Sequence, residues 1–326
     1  MNKKLFKSIR EYKKESILAP ILVILEVLME VLIPLEMAKI IDVGIANGDL
    51  GYIVQRGVIL VIMAMLALFF GVQAGNMAAV AAAGYAKNLR HDIFYKVQDF
   101  SFKNIDHFST SGLVTRMTTD ITNVQMAYMM SIRLLARAPI MILLSWIMTL
   151  MINVKVALLF LVVIPLLGGT LLFIAKKAHP HFIKVFDEYD ELNNSVQENI
   201  KGIRVVKSYV REDHEIEKFE KISTSIYNDF TFAEKLIAFN MPLMQFCMYA
   251  CMILISWFGA KLIVTTGNDP VNGMSTGQLM SLVSYAMQIL MSLMMLSMVF
   301  VMIIISRASA ERVVEILQEE SDLHNP

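Results

Sequence analysis

The sequence predicts an all-α membrane protein with six long transmembrane helices that extend beyond the bilayer as two helical stalks. Three observations carry that prediction. Hydrophobic residues make up 56% of the 326 and charged residues only 18%, against about 45–50% and about 25% in a soluble domain. The apolar excess comes in blocks, because residues 58–70, 156–175 and 279–306 are nearly free of charge while residues 176–235 are rich in it. The polar tracts also lack loop composition, since 85–108 and 182–227 have no proline, carry little glycine, and alternate charged with apolar residues as long helices do.

Residues 1–15 come first. Leu5, Ile9 and Tyr12 recur at helical spacing, and Lys4, Lys7, Lys13 and Lys14 take other faces, the pattern of a short interfacial elbow helix lying on the membrane. Cleavage as a signal peptide is not expected, because Glu26 and Glu30 interrupt the apolar run and no small-residue site follows. A spanning helix needs about 20 largely apolar residues. Six segments follow that pattern, at about 17–41, 57–83, 138–152, 156–175, 236–264 and 276–306. The third is too short unless it extends back through the semi-polar stretch 126–137.

Lysine and arginine set the orientation, because basic residues are retained on the cytoplasmic side. Six fall in 3–14, seven in 87–137, ten in 176–235 and two more at Arg307 and Arg312, whereas only Arg56, Lys155 and Lys261 lie near the opposite side. Both termini are therefore expected in the cytoplasm, as an even number of spans requires. The two cytoplasmic excursions run to about 54 and about 60 residues. Folded as antiparallel helices of about 25 residues, each reaches about 35–40 Å beyond the bilayer. The first stalk is expected to turn at Phe108-Ser-Thr-Ser-Gly112, which supplies capping and helix-breaking residues, and the second between 209 and 220.

Several classes are excluded or disfavoured. Lys plus Arg and Asp plus Glu both number 29, leaving no net positive charge to hold nucleic acid. Cys247 and Cys251 lie four apart in an apolar run, suited to packing as free thiols rather than to a disulfide. His179 and His181 do not share a helical face, so no metal site is expected. No Gly-x-x-x-x-Gly-Lys-Ser/Thr loop occurs, so this chain has no cradle for nucleotide phosphates and cannot by itself hydrolyse ATP.

The segment Glu198-Asn-Ile-Lys-Gly202-Ile-Arg204-Val-Val-Lys207-Ser-Tyr209-Val-Arg211-Glu212-Asp-His-Glu215, followed by Phe219, resembles the second cytoplasmic loop of ATP-binding-cassette (ABC) exporters. Three further stretches resemble that family in the same order. They are Ile33-Pro34 through Asp42; His107-Phe108 through Gly112 with Arg116 and Asp120; and Met274-Ser-Thr-Gly277-Gln278-Leu279 through Ser306-Arg307-Ala-Ser309-Ala-Glu311-Arg312. The resemblance covers essentially the whole chain and is closest to multidrug or lipid-type half-transporters.

It implies the transmembrane domain of a type IV exporter over 16–315, with 316–326 starting a linker toward a nucleotide-binding domain, either fused or separate. It further implies pairing with a second half-transporter as homo- or heterodimer, with ATP and magnesium on the associated nucleotide-binding domains. Stalk tips in this family are coupling helices that dock on those domains. The first would comprise Asp106, His107, Phe108, Ser109, Thr110, Ser111 and Gly112, and the second Tyr209, Val210, Arg211, Glu212, Asp213, His214 and Glu215. Phe108 and Tyr209 are the candidate anchoring aromatics, unless they merely close their own helical turns.

Cargo contacts are open to two readings at each candidate. Glu26 and Glu30 share a face of the first span, where ionised groups are costly. They either face a cavity for cationic cargo or pair internally with Arg133 or Arg137. Met287, Met291, Met294 and Met298 form a stripe on the last span, continued by Met302, suited to varied apolar ligands or simply to packing and lipid. Gln245 and Tyr249 share a face of the fifth. The expected cargo is hydrophobic or amphipathic: drugs, lipids or peptides. A six-helix secondary carrier is the alternative, since Pro34-Leu-Glu36-Met-Ala-Lys39 matches the start of the metabolite-carrier motif, but that motif occurs once where three copies are needed. The compartment expected is a bacterial plasma membrane.

Overall fold

A computed structural model of the chain describes residues 3–108, 110–270 and 273–320. Among them the ordered elements are all helices: α1 (Lys3–Lys7), α2 (Lys13–Lys39), α3 (Leu50–Gln98), α4 (Phe102–Phe108), α5 (Thr110–Thr115), α6 (Ile121–Met130), α7 (Ala136–Ile152), α8 (Val154–Ser208), α9 (Glu212–Ala238), α10 (Asn240–Thr266) and α11 (Thr276–Gln318). Wide π-helical turns at Ile40–Ile45, Arg116–Asp120 and Ser131–Leu135 join several of these without interrupting the helical path. Among the described residues, five continuous helical runs are long and apolar enough to cross a membrane: Arg10–Ile45, Leu50–Gln98, Gly112–Ile152, Glu212–Thr266 and Thr276–Phe300. The expected fourth span corresponds to a shorter apolar stretch, Val154–Thr170, inside α8. The third span does extend backwards, through α6 and the turn Ser131–Leu135.

The chain divides into two compact units, Met1–Leu161 with Cys251–Pro326, and Val162–Ala250. In the first, small residues let α2 and α3 approach closely. Ala74, Ala78, Ala81, Ala82, Gly84 and Ala86 on α3 are buried, opposite Ala19, Val23, Val27 and Val31 on α2. Between apolar helices in lipid, such close packing replaces the hydrophobic drive available in water. Pro34 removes a backbone donor inside α2. Nearby, Tyr285 Oη donates to the Val31 carbonyl at 2.9 Å and Ser281 Oγ to the Pro34 carbonyl at 2.6 Å, fastening α11 along this part of the helix. The start of α11 is held by a capping box of Ser275 and Gln278. Asp42 adds to it, accepting from the Gly277 N–H at 2.8 Å and from Ser275 Oγ, so a carboxylate sits at the positive end of the helix dipole. A Cβ on Gly277 would lie 2.5 Å from the Ala38 carbonyl oxygen, which explains glycine there.

The N-terminal segment differs from a single surface helix. It folds as α1, then a tight turn at Arg10–Tyr12, and α2 already begins at Lys13. Its apolar side faces protein: Leu5 is fully buried in a cluster with Tyr85, Leu89 and Ile93, and the Tyr12 ring lies over Gly84. Ser8 Oγ donates to Asp92 at 2.7 Å and Asn88 to the Ser8 carbonyl at 3.0 Å.

In the second unit α8 and α9 form a hairpin closed at residues 209–211. Val185 packs with Ile222 and Ile226, while Lys184 pairs with Asp229 and Lys218 with Glu198 at 3.0 Å. Cys247 is buried there as a free thiol.

Candidate functional site

Two places gather the polar groups that the helices would otherwise have no reason to carry. At the first, Glu26 and Glu30 on α2 meet Arg137 on α7. Arg137 Nη1 donates to Glu26 Oε1 at 2.6 Å, and Nη2 to the two oxygens of Glu30 at 2.9 and 2.6 Å. Of the two arginines that sequence spacing allowed, the fold selects Arg137. Beside this trio lies a cavity of about 570 Å³ lined by Glu26, Glu30, Ile33, Gly71, Gly75 and Arg133, among others. The glutamates are thus paired internally with Arg137, and they also border this cavity.

The second place is the first tip. The helix from α3 ends at Gln98, about ten residues before the expected turn, because Ser101 and Asn104 start a new helix there. Ser101 N and Oγ donate to Asn104 Oδ1 at 3.0 and 2.6 Å, a local cap for α4. Asn104 Nδ2 then reaches Glu319 Oε1 at 2.7 Å and the Glu320 carbonyl at 3.3 Å, tying this tip to the end of α11. Phe108 is not an exposed anchor. It is 5% exposed, stacks on Phe100 at 5.7 Å and lies under the Arg116 guanidinium at 4.8 Å. Phe102 is the exposed aromatic at this tip, at 85%. Of the other residues expected in the first coupling helix, Thr110 begins α5 and Gly112 lies within it. Ser109 and the side chains of Asp106, His107 and Ser111 lie outside the described residues.

Behind this tip, fully buried Asp120 accepts from Arg312 Nε at 2.8 Å and from Nη2. That hydrogen bond, offset only partly by burial, raises the Arg312 guanidinium above its already high ordinary value and keeps it charged. Arg116 pairs with Glu315 at 2.8 Å and donates to the Arg312 carbonyl at 3.2 Å. Asn123 donates to Ser309 at 3.1 Å. The end of α11 is thus stitched to the helical run that starts at the tip.

The second tip is a bare turn. Tyr209 and Val210 are 75% and 82% exposed, and Val210 takes a left-handed φ of 52°, rare for a β-branched residue. A separate short helix over 209–216 does not form. Arg211 caps α9 and Glu212, Asp213 and Glu215 fall in its first turn, where acidic side chains favour the helix dipole, with His214 between them. The side-chain ties near the turn stay within the same hairpin: Asn199 donates to Glu215 at 3.1 Å and Ser208 Oγ to the Val205 carbonyl at 2.9 Å.

The remaining candidates lie on helix faces. Met291, Met294 and Met298 are exposed and Met287 half-buried, while Leu282, Tyr285, Ile289 and Leu293 bury the opposite face of α11. The methionine stripe is therefore unpacked within the described chain. On α10, Gln245 Nε2 reaches Tyr249 Oη at 3.5 Å and both are exposed, a local pair. Sequence reasoning missed Asn104, Phe102 and the Gly71/Gly75 notch. A Ser-x-x-Asn cap signal identifies the first, and glycines four apart identify the notch.

The family model for the ABC transporter transmembrane region matches residues 16–294. The chain is similar to an uncharacterized ABC transporter ATP-binding protein, YfiB, of Bacillus subtilis, with 33% identity over 94% of this chain and 52% of that protein. It is similar to another, MT1311 of Mycobacterium tuberculosis, at 28% identity over 98% of this chain and 54% of that protein. An ATP-dependent lipid A-core flippase of Desulfotalea psychrophila matches at 26% identity over 58% of this chain and 32% of that protein. The chain spans about half the length of the first two relatives. With a family match across most of its length, all-helical and built of long apolar helices, this integral membrane chain belongs to the ABC transporter transmembrane region family.

Proposed function

We propose that this chain is the substrate-translocating domain of an ATP-driven exporter that works by alternating access as a dimer. The observation that carries the reading is the pairing of two long helical extensions with family-like tips, one of them stitched through Asn104, Arg116 and Asp120 to the end of α11. Its support from the comparisons is that the relatives are named ATP-binding proteins while this chain holds no phosphate-binding loop. Nucleotide and magnesium belong to associated nucleotide-binding domains, fused or separate. Both termini and both tips lie in the cytoplasm of a bacterial plasma membrane, and the cargo is hydrophobic or amphipathic, in keeping with a relative named as a lipid A-core flippase.

In this mechanism the nucleotide-binding domains close on ATP and draw the tips together, because ATP has higher affinity for the closed arrangement; without that difference no shift follows. The first tip carries the movement to α11 through the Asp120–Arg312 and Asn104–Glu319 contacts. The second offers Tyr209 as an exposed aromatic suited to an anchoring pocket. Cysteines placed at Phe102 and Tyr209 should cross-link to a nucleotide-binding domain in the assembled transporter, with yields that change between nucleotide-free and ATP-trapped states. Absence of any cross-link at both positions in both states would overturn the reading.

A further inference from the structure

The cavity beside Glu26 and Glu30 has an uneven distribution of charge. On one wall two carboxylates share a single guanidinium, that of Arg137, which leaves the trio with one negative charge in excess. Glu26 Oε2 is buried there without a hydrogen-bond partner among the described residues. On another wall Arg133, presented by the wide turn Ser131–Leu135, has no ion pair or hydrogen bond among the described residues. Unpaired ionised groups on apolar helices are costly and mark binding sites by default.

The space between these walls is built into α3. Ala64, Ala67, Gly71 and Gly75 form its floor, and a Cβ at Gly71 would stand 2.9 Å from Glu26 Oε1. At about 570 Å³ the cavity falls in the range of small-ligand sites. Ile33 and Val72 supply an apolar margin.

A purely cationic ligand would satisfy the glutamates and confront Arg133. A purely anionic one would do the reverse. We propose that this cavity binds the zwitterionic head group of an amphiphile, with its anionic group on Arg133 and its ammonium on Glu26 and Glu30. As cargo, such an amphiphile rests on the exporter reading above; as an occupant it does not, and the experiment separates the two.

The assembled transporter, carrying Leu68→Trp as a reporter, is titrated with three chain-brominated lipids that differ only in head group: phosphoethanolamine, phosphoglycerol and trimethylammonium. Quenching by the phosphoethanolamine lipid should reach half-saturation at a concentration at least fivefold lower than either of the others. Arg133→Gln leaves a net negative site and should shift the preference to the trimethylammonium lipid, and Glu30→Gln should shift it to the phosphoglycerol lipid. Equal quenching by all three, unmoved by either substitution, overturns the proposal and leaves an internal ionic clasp. Absence of quenching with cross-linking of Leu68→Cys to a second copy overturns it in favour of a covered interface. If a variant does not fold, the ranking of the three lipids on the reporter chain decides alone. Tight phosphoethanolamine binding without transport of that lipid keeps the site and rejects only its role as a cargo site.

Discussion

At the first tip Phe108 is 5% exposed, Asn104 is tied to Glu319, and Arg116 and Asp120 grip Glu315 and Arg312 on α11. At the second, Tyr209 and Val210 stand 75% and 82% exposed on a three-residue turn, and ties such as Asn199 to Glu215 and Lys218 to Glu198 stay within one hairpin. The two ends of similar helical hairpins are thus held by different physics. The first gains its order from long-range contacts and a shared apolar core with Phe100, Leu113, Ile121 and Val313. The second depends on helix propensity and a dipole-matched first turn in α9. A tip locked into its own unit is placed by that unit's packing. A bare turn is free to conform to whatever it meets.

That contrast can be broken at the first tip most severely. Phe108→Ala should cost about 3–5 kcal/mol by opening a cavity in the cluster, read as a large fall in the thermal midpoint of the purified chain and faster amide exchange across 100–121. Asp120→Ala removes the hydrogen bonds to Arg312, whose half-exposed guanidinium is then left to water, and should cost about 2 kcal/mol, with exchange rising in 309–316 while 205–215 is unchanged. Equal loosening at both tips would erase the distinction. Asn104→Ala removes the cap and the tie to Glu319, for about 1–2 kcal/mol; the sharper readout is a wider distance distribution between spin labels at 103 and 319.

At the second tip the expected effects are smaller, and one has the opposite sign. Val210→Gly relieves a left-handed backbone that costs a β-branched residue about 1 kcal/mol or more, so the hairpin should be stabilised slightly, less the entropy that glycine adds to the unfolded chain. Tyr209→Ala should change stability by no more than about 0.5 kcal/mol, leaving the thermal midpoint nearly unmoved, yet weaken nucleotide-sensitive cross-linking of the assembled transporter. A large stability loss at Tyr209 would show that this tip is packed after all.

Much of this architecture was readable along the chain. Five of the six apolar blocks, found as helices of membrane length among the described residues, the proline-free charged tracts, the backward extension of the third span through 126–137 and the turn beginning at 209 follow from periodicity and local composition, whereas the fourth block is a shorter apolar stretch. The candidate sites were less legible. Glu26 and Glu30 announced a need for a partner, but Arg133 and Arg137 are four residues apart on one helical run, and only the approach of α7 to α2 chose Arg137. Phe108 looked like an anchor because the family resemblance implies a docking tip there, whereas its burial depends on Phe100, Arg116 and the arrival of α11 from two hundred residues away. The early break at Gln98 was signalled by Ser101 and Asn104, yet residues 108–112 carried the stronger turn composition.

By itself the sequence determined the class of the protein, its helical character and the places of its apolar and charged tracts, because helix formation and membrane compatibility depend on neighbours a few residues apart. The tertiary structure alone decided which charges meet. It paired Glu26 and Glu30 with Arg137, set Arg133 facing a cavity, buried Asp120 against Arg312 and turned Phe108 inward. Those outcomes depend on the rotation of each helix about its own axis, and that angle is set by small residues and polar groups on other helices rather than by any local stretch of chain.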